Sequence, residues 1–147
     1  MIQEDRKLLL KDISARLTYG VQCQFSYHNI HRLKEGIVIE DDCEQMEGMI
    51  IGLYNNTSFY IYSKEVHDME FCPRIEDCRP YLRPMSSMTD KERGEYDTYR
   101  KHVCDEYNRY CFDSMESIDW LNQHYFDYRG LIEKGLALEA PDGMYKI

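Results

Sequence analysis

The sequence predicts an α+β protein: an amino-terminal helix, then a small, strongly curved antiparallel β-barrel, then a carboxy-terminal helical segment packed on it. Three patterns carry this prediction. Leu9, Leu10, Ile13 and Leu17 recur at three- and four-residue spacing, which gives a helix one apolar face. Residues 21–27 alternate apolar and polar side chains, the period of a half-buried strand. Residues 49–54 and 57–62 are two apolar runs joined by Asn55 and Asn56, which tolerate the left-handed conformations of a tight hairpin turn.

The first helix is expected over residues 3–17, with Gly20 just past its end to turn the chain. After the strand at 21–27, Ile37, Val38 and Ile39 read as a second strand, closed by Glu40, Asp41 and Asp42. A two-residue hairpin loop sets Tyr54 against Thr57, Gly52 against Phe59 and Ile50 against Ile61. Both faces of that hairpin are then apolar, since Met49, Ile51, Leu53, Tyr60 and Tyr62 line the second one. A two-sided hairpin needs a cover on each side, and a sheet curled round one core with a helix outside supplies both. Residues 69–72 offer a last strand, 75–78 a turn, and 80–84 an extended crossing segment in which Pro80 and Pro84 forbid helix. The barrel, of the SH3-like type with about five short strands, therefore covers residues 18–84.

Residues 1–84 thus form the helix and barrel, 85–89 a linker, and 90–147 the helical segment. Thr89 and Glu92 have the spacing of a capping box, so a helix starts at Asp90. Tyr96, Tyr99, Val103, Tyr107 and Tyr110 continue it as one stripe. The run Asp113-Ser114-Met115-Glu116 offers a second capping signal, opening a helix that carries Ile118, Trp120, Leu121 and Tyr125; residues 131–135 read as a short helix stopped by glycine, 136–138 as an extended piece, and 141–143 as a turn.

The chain has 147 residues, enough for a core without metal or disulfide staples, and a net charge of −9. Residues 41–77 hold nine acids against Lys64 and Arg74, a balance that discourages direct nucleic-acid binding. No apolar run approaches a membrane span, and the acidic start lacks the pattern of a signal peptide, so a cytoplasmic location is expected. The six cysteines then read as free thiols. Thirteen tyrosines against five phenylalanines and one tryptophan favour surfaces that are half apolar and half hydrogen-bonding.

The search for chemistry ends with no catalytic residue, no metal site and no cofactor assigned. His67, Cys72 and Cys78, or His28 and His31 near Cys23, lack the paired spacing of tetrahedral zinc sites. His102 and Cys104 stand two apart, which on a helix points them in different directions, and no phosphate loop or nucleophile elbow is present. The strongest binding candidates are Trp120 and His124, four apart on one helical face, with Tyr128 and Arg129 close behind; aromatic and arginine side chains gathered in this way are the composition of interface hot spots.

Residues 7–12, residues 79–89 and residues 120–145 carry a resemblance. The run Phe126-Asp127-Tyr128-Arg129-Gly130-Leu131-Ile132-Glu133-Lys134-Gly135-Leu136-Ala137-Leu138-Glu139-Ala140-Pro141 is its most specific part. In these stretches the chain resembles a family of short uncharacterised proteins from gut Bacteroidetes, their phages and integrated elements. The resemblance implies a genetic context and no mechanism, so no residue role follows from it. The expected function is a non-catalytic protein-binding or accessory module of phage or mobile-element origin, with a protein partner and no membrane. The alternatives are a nucleic-acid-associated regulator or acidic decoy that mimics nucleic acid, and a small enzyme with an unrecognised site.

Overall fold

The computed structural model describes the backbone of residues 1–32, 38–64, 69–104 and 109–145, and side chains at 1–27, 43–64, 69–102 and 110–145. Helix α1 runs Gln3–Arg16, continues as a tight turn at Leu17–Tyr19, and ends where Gly20 takes a left-handed φ of 74°. Its buried stripe is Leu9, Asp12, Ile13 and Arg16, so the covered face includes an acid and a base as well as the expected apolar residues.

Five strands follow before the next helix: β1 Val21–Arg32, β2 Val38–Tyr54, β3 Ser58–Ser63, β4 Met69–Phe71 and β5 Cys78–Leu82. The chain continues through α2 Asp90–Tyr99, β6 Lys101–Cys104, β7 Arg109–Phe112, α3 Met115–Gln123 and β8 Leu138–Glu139. One six-stranded sheet has the order β4-β3-β2-β1-β5-β8, antiparallel except for the parallel pair β5 and β8; β6 and β7 form a separate two-stranded sheet.

The sheet is open, which corrects the expected SH3-like barrel. Its edge strands, β4 and β8, lie at opposite ends of the strand order and do not pair. Closure is unnecessary because only one face needs an apolar cover. Val21, Cys23 and Phe25 of β1, Met46 and Ile50 of β2, Phe59 and Ile61 of β3, and Cys78 and Leu82 of β5 all point to that face. There they meet Leu9 and Ile13 of α1 and Leu131, Leu136 and Ala137 of the carboxy-terminal segment. Each such buried side chain contributes roughly 1.5–3 kcal/mol. The opposite face is mixed: Gln22, Gln24, Ser26, Gln45, Glu47 and Arg79 tolerate water, while Met49, Tyr62 and Tyr81 lie among them, Tyr81 donating its hydroxyl to Glu47.

The hairpin that suggested a barrel resolves its two apolar faces by irregular register. Thr57 donates its N–H to the Tyr54 carbonyl at 3.0 Å across Asn55 and Asn56, whose φ values are 49° and 54°. The tight turn at Asn55 and Asn56 is present, but the loop has three residues, 55–57, in place of the expected two: Ser58, not Thr57, pairs with Tyr54, and Phe59 faces Leu53. A bulge between Ile50 and Gly52 then restores the Ile50–Ile61 pair and sets Tyr60 against Gly52. Ile51, the extra residue, faces solvent.

Three further expectations change. The strands expected at 37–39 and 49–54 belong to one, β2, which runs through the acidic stretch paired with β1. The crossing segment at 80–84 is a true strand, β5, between β1 and β8. The tyrosine stripe does not form one helix: α2 ends at Tyr99 and buries only Tyr96, so a longer helix would have little apolar surface to cover. The chain turns back instead as β6 and β7, whose aromatic and β-branched residues suit strands. Residues 131–135 form turns, with Gly130 and Gly135 both at φ 69°.

The capping signals hold. Thr89 and Glu92 cap α2 reciprocally, and Ser114 and Ser117 do the same for α3. These helices enclose a second core of Met88, Tyr96, Trp120, Leu121 and Phe126. It joins the sheet where Arg83 and Phe126 form a parallel bridge. Among the described residues, no helix is long and apolar enough to cross a membrane.

Candidate protein-binding surface

The four residues singled out for binding separate into two pairs. Trp120 and His124 lie in the second core, their rings stacked at 3.8 Å and 20°. His124 Nδ1 sits 2.8 Å from the Trp120 carbonyl, while Phe126 and Tyr96 pack on the indole from other sides. Tyr128 packs against the edge of the same core but, with Arg129, also joins a cluster built round α1.

That cluster is ionic and closed. Arg16 donates from Nε to Asp12 Oδ2 at 2.7 Å and from Nη2 to Asp12 Oδ1 at 3.0 Å, and both side chains are 0% exposed. The same Nη2 donates to the Phe126 carbonyl at 2.7 Å, tying α1 to the carboxy-terminal segment. Arg129 Nε approaches Asp12 Oδ1 at 3.2 Å as a charge contact, and its Nη2 donates to the Tyr128 hydroxyl at 2.7 Å. Tyr128 in turn donates to Asn122 Oδ1, with the Arg16 and Arg129 guanidiniums 5.4 Å and 4.8 Å from its ring centre. Asp127 accepts from the N–H groups of Leu131 and Ile132 at 2.9 Å and 2.8 Å. The most distinctive run of the sequence is thus a clasp that holds the carboxy-terminal segment on α1.

The concave features carry little free chemistry. A cleft of about 360 Å³ lies between Arg83, Thr89 and Glu92 on one side and Glu139, Asp142 and Tyr145 on the other. Arg83 binds Glu92 bidentately at 2.7 Å and 3.1 Å and lies over the Phe126 ring. The guanidinium, helped by the Thr89 N–H and hydroxyl, holds the Glu92 carboxyl down at about 2. Neither cysteine nor histidine lines this cleft. Burial pushes the thiols of Cys23 and Cys78 well above their ordinary range. Among the described residues no cluster of three metal-ligating side chains occurs. Of the metal candidates weighed from sequence, His67 and the side chains of His28 and His31 lie outside the described residues.

The surface that stands out is the β6–β7 sheet with the start of α3. Tyr110 is 52% exposed, Phe112 47%, Tyr99 47% and Met115 82%. Lys101, His102 and Cys111 are exposed too, so every described side chain of the two strands meets water. The register pairs Lys101 with Phe112, His102 with Cys111 and Val103 with Tyr110, which puts Tyr110 and Phe112 on one face. The base of the sheet is fixed: Tyr96 donates its hydroxyl to Asp113, Arg100 Nε lies 3.3 Å from the same carboxylate, and Ser114 Oγ donates to the Tyr99 carbonyl at 2.6 Å. Val103, Tyr110 and Phe112 are strand-favouring residues, a signal masked in the sequence by the helical spacing of the tyrosines. Comparison with protein-family models, with curated proteins and with solved structures finds no match to this chain.

Proposed function

We propose that the chain is a non-catalytic protein-binding module, cytoplasmic and of phage or mobile-element origin, that meets its partner through the aromatic face of β6 and β7. The observation that carries this reading is a two-stranded sheet, tied at its base, whose Tyr110 and Phe112 are about half exposed, as is Tyr99 at the end of α2, with Met115 82% exposed at the start of α3. Contiguous exposed aromatic surface is the composition of interaction sites. Support also comes from the internal use of Arg16, Arg83 and Arg129, each of which serves a carboxylate of the same chain. The acidic stretch fits a decoy less well, because Glu47 accepts the Tyr81 hydroxyl, Asp77 pairs with Arg74, and exposed Met69 and Tyr60 interrupt it.

The test is affinity capture from a lysate of the encoding organism with the native chain and with a Tyr110→Ser, Phe112→Ser variant of unchanged circular dichroism. Loss of a specific protein on substitution is the expected result. Capture that both forms share equally, or a purified chain carrying only a metabolite, overturns it.

A further inference from the structure

We infer that residues 138–145 form a strap that opens and closes as one unit while the rest of the fold stays intact, with the Tyr145 hydroxyl as its latch. The strap begins where the first core ends. Leu136 and Ala137 are buried, whereas every residue from Leu138 to Tyr145 is half-buried or exposed. Its outermost turn, Pro141, Asp142 and Gly143, is exposed, with Gly143 at φ 76°. A segment with few buried apolar contacts opens locally at a free energy below that of global unfolding.

The latch sits where two strands part. β1 pairs with β5 from Phe25–Cys78 to Cys23–Pro80, and Pro80 offers no N–H there. Past that point the Tyr145 hydroxyl stands between the strands: it accepts from the Gln22 N–H at 3.1 Å and donates to the Tyr81 carbonyl at 2.7 Å. Its ring stacks on Tyr125 at 3.6 Å and 7°. On the other edge of β5 the strap is held by the two-residue parallel strand β8 and by the Ala140 N–H, which donates to the Leu82 carbonyl at 2.8 Å. Successive carbonyls of a strand point to opposite edges, so Tyr81 and Leu82 let the strap grip β5 from both sides. Neither grip is long.

Opening changes what the fold presents. Glu139, Asp142 and Tyr145 belong to one wall of the cleft of about 360 Å³, and Arg83, Thr89 and Glu92 to the other. With the strap away, the Arg83–Glu92 pair gains exposure and the outer edge of β5 at Tyr81 and Leu82 loses its partner strand. Unpaired backbone groups at a sheet edge accept an added strand. The strap is thus a lid over both the cleft and that edge.

Residue-resolved native-state hydrogen exchange at increasing urea is the test, because the Gln22 and Ala140 amides report the two grips separately. Both should exchange with one shared free energy and one shared, small urea dependence, each below the values for the β2 and β3 amides. Tyr145→Phe keeps the ring and removes the hydroxyl, which leaves the Gln22 N–H and the Tyr81 carbonyl unpaired. Both reporter amides should then exchange about tenfold faster or more, Ala140 as much as Gln22, with the circular dichroism unchanged. Acceleration at Gln22 alone means that the grips fray independently and overturns the inference. So does exchange of both amides only with the free energy and urea dependence of the core, or a Tyr145→Phe variant whose amides exchange as in the native chain.

Discussion

Asp12 is the residue on which the junction between α1 and the carboxy-terminal segment turns, and Asp12→Ala is the sharpest perturbation of the fold. Its carboxylate, 0% exposed, faces two guanidiniums: Arg16 through two bonds of 2.7 Å and 3.0 Å, and Arg129 at 3.2 Å. Truncation leaves the Arg16 charge buried, with Nη1 already lacking a partner and only the Phe126 carbonyl still accepting from Nη2. Breaking a buried pair from one side costs about 3–5 kcal/mol. With a urea dependence of about 2 kcal/mol per molar, the unfolding midpoint should fall by about 2 M. The control is the double variant Asp12→Leu, Arg16→Met, which removes both charges and keeps apolar volume; its midpoint should recover most of that loss. Arg129, 17% exposed, can then turn to water. Equilibrium urea unfolding followed by circular dichroism reads both. A midpoint shift below about 0.5 M for Asp12→Ala, or a double variant as unstable as the single one, refutes the argument that the clasp is an electrostatic unit.

Three other outcomes follow from the same structure. A methyl group at Gly48 would lie 2.6 Å from Ile61 Cγ2 and 2.8 Å from the Tyr62 carbonyl oxygen, so Gly48→Ala should destabilise by about 2–3 kcal/mol in urea unfolding; a neutral result would mean that β3 does not press on β2 there. The Glu92 carboxyl is held at about 2 by Arg83, below its unfolded value of about 4.3, so its contribution is full above that value and disappears as pH falls toward 2. Glu92→Gln should therefore lower stability by about 1 kcal/mol at pH 7, allowing for screening near the surface, with the difference shrinking in thermal melts taken from pH 5 down to about 2; a constant gap contradicts the assignment. Cys43, Cys72 and Cys111 are exposed while Cys23 and Cys78 are buried, with thiol ionisation suppressed, so an Ellman titration should label the first three promptly and the other two only in denaturant.

Much of the local structure was legible in the residues alone because its rules act over a few positions. The reach of α1, the left-handed Gly20, the turn at Asn55 and Asn56, and the capping box at Thr89 each depend on backbone sterics or on a hydrogen bond three residues away, whereas for α3 the residues marked only that a cap lies within 113–116 and the structure selects Ser114. The periodicity of Leu9 and Ile13 found the right helix, and the alternation of Val21, Cys23 and Phe25 found the right face. The tyrosine spacing misled, because Tyr96, Tyr99 and Tyr110 satisfy a helical period by count while lying on a helix and on a strand of a separate sheet. Val103, Tyr110 and Phe112 favour strands by propensity, a signal that the helical count of the tyrosines outweighed.

Closure of the sheet, the registers of its irregular hairpin and the partners of the buried charges were decided only in three dimensions. Nothing near Asp12 or Arg16 in sequence marks them as interior, for an acid and a base four apart on a helix usually face water. They are buried because the Phe126 carbonyl, 110 residues away, and Arg129 arrive over the same face. Tyr128 packs against the second core that holds Trp120 and also meets the Arg16 and Arg129 guanidiniums, a contact between distant segments for the same reason. Local pattern settled the conformation of α1, β1, the Asn55–Asn56 turn and the start of α2, and which face of α1 and β1 is apolar; which face meets which, and so which side chains remain free to bind, is a property of contacts between distant segments that no local pattern encodes.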